Sequence, residues 1–225
     1  MVITCISDTH NKHHEIPLKY LQGGDCIIHS GDISSRGTKF EIEGFLDWFD
    51  ELPYTHKILI AGNHDFYFEQ SPEYAIEEML SQYPSVTYLN DSGVEIDGIR
   101  FWGSPVQPYF GGWAFNRVGV EICNHWDLIP LDIDVLITHG GPKHLGSLNV
   151  TTRSREDVGC PYLYEKISEL KQLKLFVQGH IHEGRGSYTF ADKQLFVNAS
   201  LVNLQYELVN NPFVIDTEKW VIIDS

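Results

Sequence analysis

No run of about 18 apolar residues occurs in the 225-residue chain, so no segment reads as a membrane-spanning helix. Residues 1–8 carry neither a basic cluster nor a long apolar stretch, and are expected to form a first strand and not a secretion signal. Cysteine is scarce. Cys5, Cys26, Cys123 and Cys160 include no CxxC pair, which argues against a thiolate zinc site. A cytoplasmic location is expected, and there these thiols would be reduced and mostly buried. Positive charge is scarce too: 16 Lys and Arg stand against 31 Asp and Glu, for a net charge of −15. A surface of that sign repels phosphate polyanions, which argues against general nucleic-acid binding and against a membrane surface as partner. A small phosphate ester stays admissible, because bound cations can reverse the sign of one site. Repeats, low-complexity tracts and Ser/Gly-rich linkers are also missing, so residues 1–225 are expected to form a single domain with a large core. The sequence carries no signal for oligomeric state.

What is present is alternation. Short apolar runs of strand length lie at 2–7, 26–30, 57–61, 86–88, 135–138 and 175–178, separated by longer helical stretches. Phe40, Ile42, Phe45, Leu46, Phe49 and Leu52 recur at helical spacing, which predicts an amphipathic helix over 38–52. Ser71-Pro72-Glu73 opens a second helix with proline at its first position, and a third is expected over 161–172. Asp97-Gly98 between two apolar runs signals a two-residue hairpin. Further strands are expected at 194–197, 213–215 and 220–223. Alternation first and strands later suggest an α/β domain with mixed sheets covered by helices.

Five polar segments carry the chemistry. Asp8 and His10 follow the first strand, and in extended backbone residues two apart point the same way. His180 and His182 repeat that spacing after the run at 175–178. Gly31-Asp32, Gly62-Asn63-His64-Asp65 and His139-Gly140 each end a predicted strand. Ligands in open α/β sheets bind beyond the carboxyl ends of strands, so all five segments are expected to converge. Oxygen and imidazole donors suit divalent Mn, Fe, Zn or Mg, and a carboxylate can bridge two such ions. Asp8, His10, Asp32 and His182 are assigned to one ion, and Asp32, Asn63, His139 and His180 to the other. A hydroxide generated at the ions would attack phosphorus in line. His64 is expected to protonate the departing oxygen, with Asp65 orienting its ring. His13 and His144 lie near these loops and are weaker candidates for touching substrate. The aromatic residues at 109–115 offer ring faces on which a nucleobase could stack, or else simply seal a hydrophobic patch.

Asp8-Thr9-His10, Gly31-Asp32, Gly62-Asn63-His64-Asp65, His139 and Gly179-His180-Ile181-His182 together resemble the five motifs of calcineurin-like metallophosphoesterases. The resemblance implies a four-layer αββα sandwich of two mixed sheets flanked by helices, and a dinuclear site with the same ligand split. Trp102-Gly103-Ser104-Pro105, Gly112-Trp113-Ala114-Phe115-Asn116, Trp126-Asp127-Leu128-Ile129-Pro130 and Val197-Asn198-Ala199-Ser200 are similar to the brain-type members of that family. Those members imply phosphodiester hydrolysis, with cyclic nucleotides as the substrate class; the reaction is expected to need added Mn, Ni, Co or Mg after chelation, Mn foremost. Residues 31–37 also resemble the Ser/Thr phosphatase run whose arginine, here Arg36, grips phosphate. That run makes a phosphomonoesterase or protein phosphatase the alternative. A non-catalytic scaffold is a third reading, and retention of His64 argues against it.

Overall fold

A computed structural model describes residues 1–190 and 194–224. Its first half alternates β1 (Val2–Ile6), β2 (Gly24–Ser30), α1 (Lys39–Glu51), β3 (Tyr54–Ile60), α2 (Phe66–Gln70), α3 (Glu73–Leu80) and β4 (Val86–Tyr88). A hairpin of β5 (Ser92–Ile96) and β6 (Ile99–Ser104) follows, then the short pair β7 (Gln107–Pro108) and β8 (Asn116–Arg117). Next come α4 (Val120–Asp127), β9 (Val135–Thr138), α5 (Pro161–Glu169) and β10 (Leu175–Gln178). Strands β11 (Gly186–Phe190), β12 (Gln194–Asn198), β13 (Phe213–Asp216) and β14 (Val221–Asp224) complete the order.

Six strands form one sheet in the order β14-β13-β1-β2-β3-β4, and six form a second in the order β11-β12-β10-β9-β6-β5. Both are mixed, with parallel pairs such as β1/β2, β2/β3 and β9/β10, and antiparallel partners such as β13 and β5. Period-two alternation sends successive side chains to opposite faces, and that builds the layers. Cys5, Cys26, Ile28 and Ile58 of the first sheet meet Phe101, Val135, Val177 and Val197 of the second in a core between the sheets. Ile27 and Leu59, of opposite parity, pack outward on Phe45 and Phe49 of α1. Leu136, Phe176 and Phe196 do the same on the second sheet, against Trp126 of α4 and Leu163 of α5. The result is the expected αββα sandwich.

Thr38 caps α1 by accepting from the Glu41 backbone N–H, while the Glu41 carboxylate accepts from Thr38 N, so two otherwise unpaired donors are satisfied. Phe40 does not join the buried stripe: it is 84% exposed, and Trp48 takes that role instead. Pro72 has ψ 145° and caps α3 from outside, one position earlier than expected. Helix α4 and strand β11 were not anticipated. All four cysteines are free, and Cys5, Cys26 and Cys160 are buried. No helix among the described residues is long and apolar enough to cross a membrane.

Candidate metal centre

Parallel β1, β2 and β3 deliver the loops at 8–11, 31–37 and 62–65 to one edge, and β9 and β10 deliver His139 and His180 to the same edge. The loops continue the sheet's pairing past the strands: Asp8 N donates to Gly31 O, His10 N to Asp32 O and Asn11 N to Ile33 O. The backbone there is not extended. Asp8, His10, Asp32 and His180 have φ of 54°, 42°, 57° and 68°. Residues 8 and 10 therefore share a side because the chain turns, which corrects the extended-spacing argument. Each such residue costs on the order of 1–3 kcal/mol, a strain typical of functional sites. Two glycines admit the close approach: a Cβ at Gly62 would strike Asp32 Oδ1, and one at Gly179 would strike Asp8 Oδ2 and Ser7 Oγ.

The expected residues do meet. His182 Nε2 lies 3.4 Å from Asp8 Oδ1 and 3.2 Å from His10 Nε2. His10 Nε2 stands 3.7 Å from Asp32 Oδ2, and His139 Nε2 stands 3.3 Å from the same oxygen, so Asp32 lies between two donor groups. Asn63 Oδ1 is 3.1 Å from His139 Nε2. The donor atoms of Asp8, His10 and His182 fall within 4.8 Å of one another, as do those of Asp8, Asp32 and His139 and those of His10, Asp32 and His64. His180 is held by its backbone N–H, 3.1 Å from each Asp8 oxygen, with its ring beside His139 at 5.1 Å between centroids.

Three rings are oriented from behind. The Nδ1–H of His139 donates to Ser30 O, that of His182 to Asn203 O, and that of His64 to Ser35 O. In His139 and His182 the opposite nitrogen then faces carboxylate oxygens with a lone pair. Acceptors crowded onto acceptors need positive charge among them. A proton supplies some of it: burial opposes charge on His139, but the Asp32 carboxylate outweighs it and raises the ring to about 9. Burial likewise opposes charge on Asp8 and Asp32, yet His182 and His139 respectively hold them well below the usual carboxylate range. His180, which burial pulls down to about 3, stays neutral. A cation satisfies the same atoms at once, and backbone-anchored imidazoles beside carboxylates are the donor set such an ion takes. The residues fit a divalent metal.

Asp65 does something other than expected. Its oxygens accept from Ile33 N, Ser34 N, Ser34 Oγ and Gly62 N, tying the second and third loops together. The His64 ring is oriented by the Ser35 carbonyl instead, since Asp65 is buried beneath the loops. Arg36 is exposed, and its backbone N–H bonds Glu41; it is not among the residues lining the cavity over the site. His13 is buried against Phe45 and Trp48, and His144 packs on Tyr164; neither lines that cavity. Tyr206 was missed. It has φ 59° and sets its ring edge against His10 and His182, at 4.8 and 5.3 Å between centroids. Asn203 holds this loop, its side-chain oxygen accepting from Gln205 N and Glu207 N. No local spacing could have pointed to it. From the aromatic loop, Trp113 tilts over His64 at 4.4 Å and Phe110 lies 4.9 Å from His180.

Residues 1–209 match the calcineurin-like phosphoesterase family. The chain belongs to that family. Its members normally hold a dinuclear divalent metal site, which agrees with the donor clusters above. The chain is 40% identical to human metallophosphoesterase domain-containing protein 1, over 94% of its own length and 69% of the human protein's. One solved structure shares the fold at 16% identity and a TM-score of 0.70, covering 98% of this chain and 96% of the other. A structure described as a novel archaeal phosphodiesterase aligns at 18% identity and a TM-score of 0.51, over 99% and 97%. The chain is thus a metallophosphoesterase of mixed α/β fold with two six-stranded sheets.

Proposed function

We propose that the chain hydrolyses small phosphodiesters, cyclic nucleotides among them, with two divalent cations and His64 as proton donor. One observation favours a diester. The cavity of about 200 Å³ over the site is lined by Asp32, Asn63, His64, His180, His182 and Glu183 together with Phe110, Trp113, Leu204 and Tyr206, and by neither Lys nor Arg. A phosphomonoester carries about −1.5 to −2 charges at neutral pH, whereas a diester carries one fewer ionisable oxygen. With no guanidinium or ammonium in the wall, the singly charged ester suits the site better.

Bound cations supply Lewis-acid charge for the phosphoryl oxygens and a nucleophilic water at neutral pH. The chain's own residues do the rest. Asp8, His10, Asp32 and His182 would hold one ion, and Asp32, Asn63, His139 and His180 the other. Ser35 O fixes the His64 tautomer with its proton on Nδ1. With that Nδ1–H held, a second proton on Nε2 makes the imidazolium, and it is this proton that passes to the departing oxygen. Trp113 and Phe110 give the cavity ring faces suited to a base. Manganese is the ion we favour, with Fe, Zn, Mg, Ni and Co as competitors, because imidazole and carboxylate serve all of them.

The test strips the protein with chelator, restores each metal in turn, and offers cyclic nucleotides, bis-p-nitrophenyl phosphate and mononucleotides. Diester turnover returning with metal is expected, and His64→Ala should lower kcat by about 10²–10⁴ at unchanged metal content. Turnover of monoesters alone would overturn the reading in favour of the phosphatase alternative, for which Arg36→Ala is the deciding variant.

A further inference from the structure

A second cavity, of about 420 Å³, adjoins the metal-side one, and Phe110 and His180 line both. Its volume lies within the roughly 300–1,000 Å³ of small-molecule sites. The walls come from Pro108, Tyr109, Gly140, Asn149, Thr151 and Val158, with no Lys or Arg among the lining residues. The Asn149 amide and the Thr151 hydroxyl in its wall are already engaged. Asn149 Nδ2 donates to Pro142 O at 2.8 Å, Gln178 Nε2 donates to Asn149 Oδ1 at 2.7 Å, and the Thr151 and Ser154 hydroxyls lie 2.6 Å apart. Such a wall offers contact area and little else. Tyr109 is 60% exposed and Phe110 38%, so both rings have surface that a flat ligand would cover. His64 lines the metal-side cavity and not this one, so the departing oxygen and this cavity are served by different walls.

We propose that this cavity receives the ester group that stays on phosphorus, and that it selects a flat, uncharged, aromatic group there. The inference rests on the phosphodiesterase reading, because a monoester has no second ester group. Engaged amides and hydroxyls leave the edge of an aromatic ring unread, so adenine and guanine arms are expected to be distinguished weakly. A charged arm finds no partner.

Two diesters with the same leaving group isolate the retained arm: phenyl p-nitrophenyl phosphate and methyl p-nitrophenyl phosphate. The metal-loaded protein should favour the phenyl ester in kcat/KM by about tenfold or more, as filling an apolar subsite does. Val158→Trp fills the cavity from a position 42% exposed, and should bring the ratio toward one. Tyr109→Ala removes a wall and should lower the ratio too; it decides the matter if the tryptophan variant fails to fold by thermal unfolding. A wild-type ratio near one, or a ratio unmoved in the folded variants, overturns the inference while leaving the diesterase reading intact. Turnover of neither diester removes the retained arm, and overturns both.

Discussion

Asp65→Asn separates a tie between loops from a partner of the His64 ring. The carboxylate accepts four hydrogen bonds, two at each oxygen, from the backbone and side chain of the 33–34 and 62 positions. An asparagine keeps the shape but turns an NH2 donor toward two of those donors. Losing two bonds to a charged acceptor costs about 3–6 kcal/mol. Some of that returns. Burial, and after it the Asp32 carboxylate, raises Asp65 from 3.8 to about 6, so removing the charge offsets part of that cost. A net loss on the order of 1–3 kcal/mol remains, which for a chain of this size lowers Tm by about 2–12 °C. The loops released carry Asp32, Asn63 and His64, so metal affinity should weaken as well. Calorimetric unfolding with and without metal, alongside a metal titration, measures both. An unchanged Tm with a kcat loss matching that of His64→Ala would refute the reasoning and return Asp65 to the histidine ring.

Other consequences follow from packing and burial. Gly179→Ala places a methyl group against Asp8 Oδ2 and Ser7 Oγ, so it should lower metal content per chain in elemental analysis while the far-UV spectrum stays native; full occupancy would contradict the geometry. His13 is buried against Phe45 and Trp48, where burial and then His14 pull it from 6.5 to about 4. Between those values the unfolded chain binds the proton and the folded one does not, so stability should fall as pH drops from 6.5 toward 4. His13→Leu should flatten that part of a urea-midpoint profile, and an identical slope in both proteins would dismiss the assignment.

Much of the candidate site could be read along the chain because each donor sits within four residues of a strand end. Apolar runs announce the strands, and a parallel sheet aligns their carboxyl ends at one edge whatever else the fold does. The gathering of Asp8, His10, Asp32, Asn63, His139, His180 and His182 at one edge was legible for that reason, while the four-layer sandwich was implied by the family resemblance. What orients them was not. Ser35 O at His64, Asn203 O at His182 and Ser30 O at His139 are main-chain carbonyls, and any residue type supplies one. Tyr206 reaches His10 across 196 positions of sequence, through a left-handed turn that no residue pattern marks. Asp65 illustrates the limit most clearly: adjacency in sequence suggested His64 as its partner, but the backbone turn at 62–65 buries its side chain under the loops. Residue chemistry and strand period determined which atoms gather and on which edge. Only the packed loops decided which hydrogen bond each makes, because directions set by φ and by neighbours distant in sequence are properties of the folded chain.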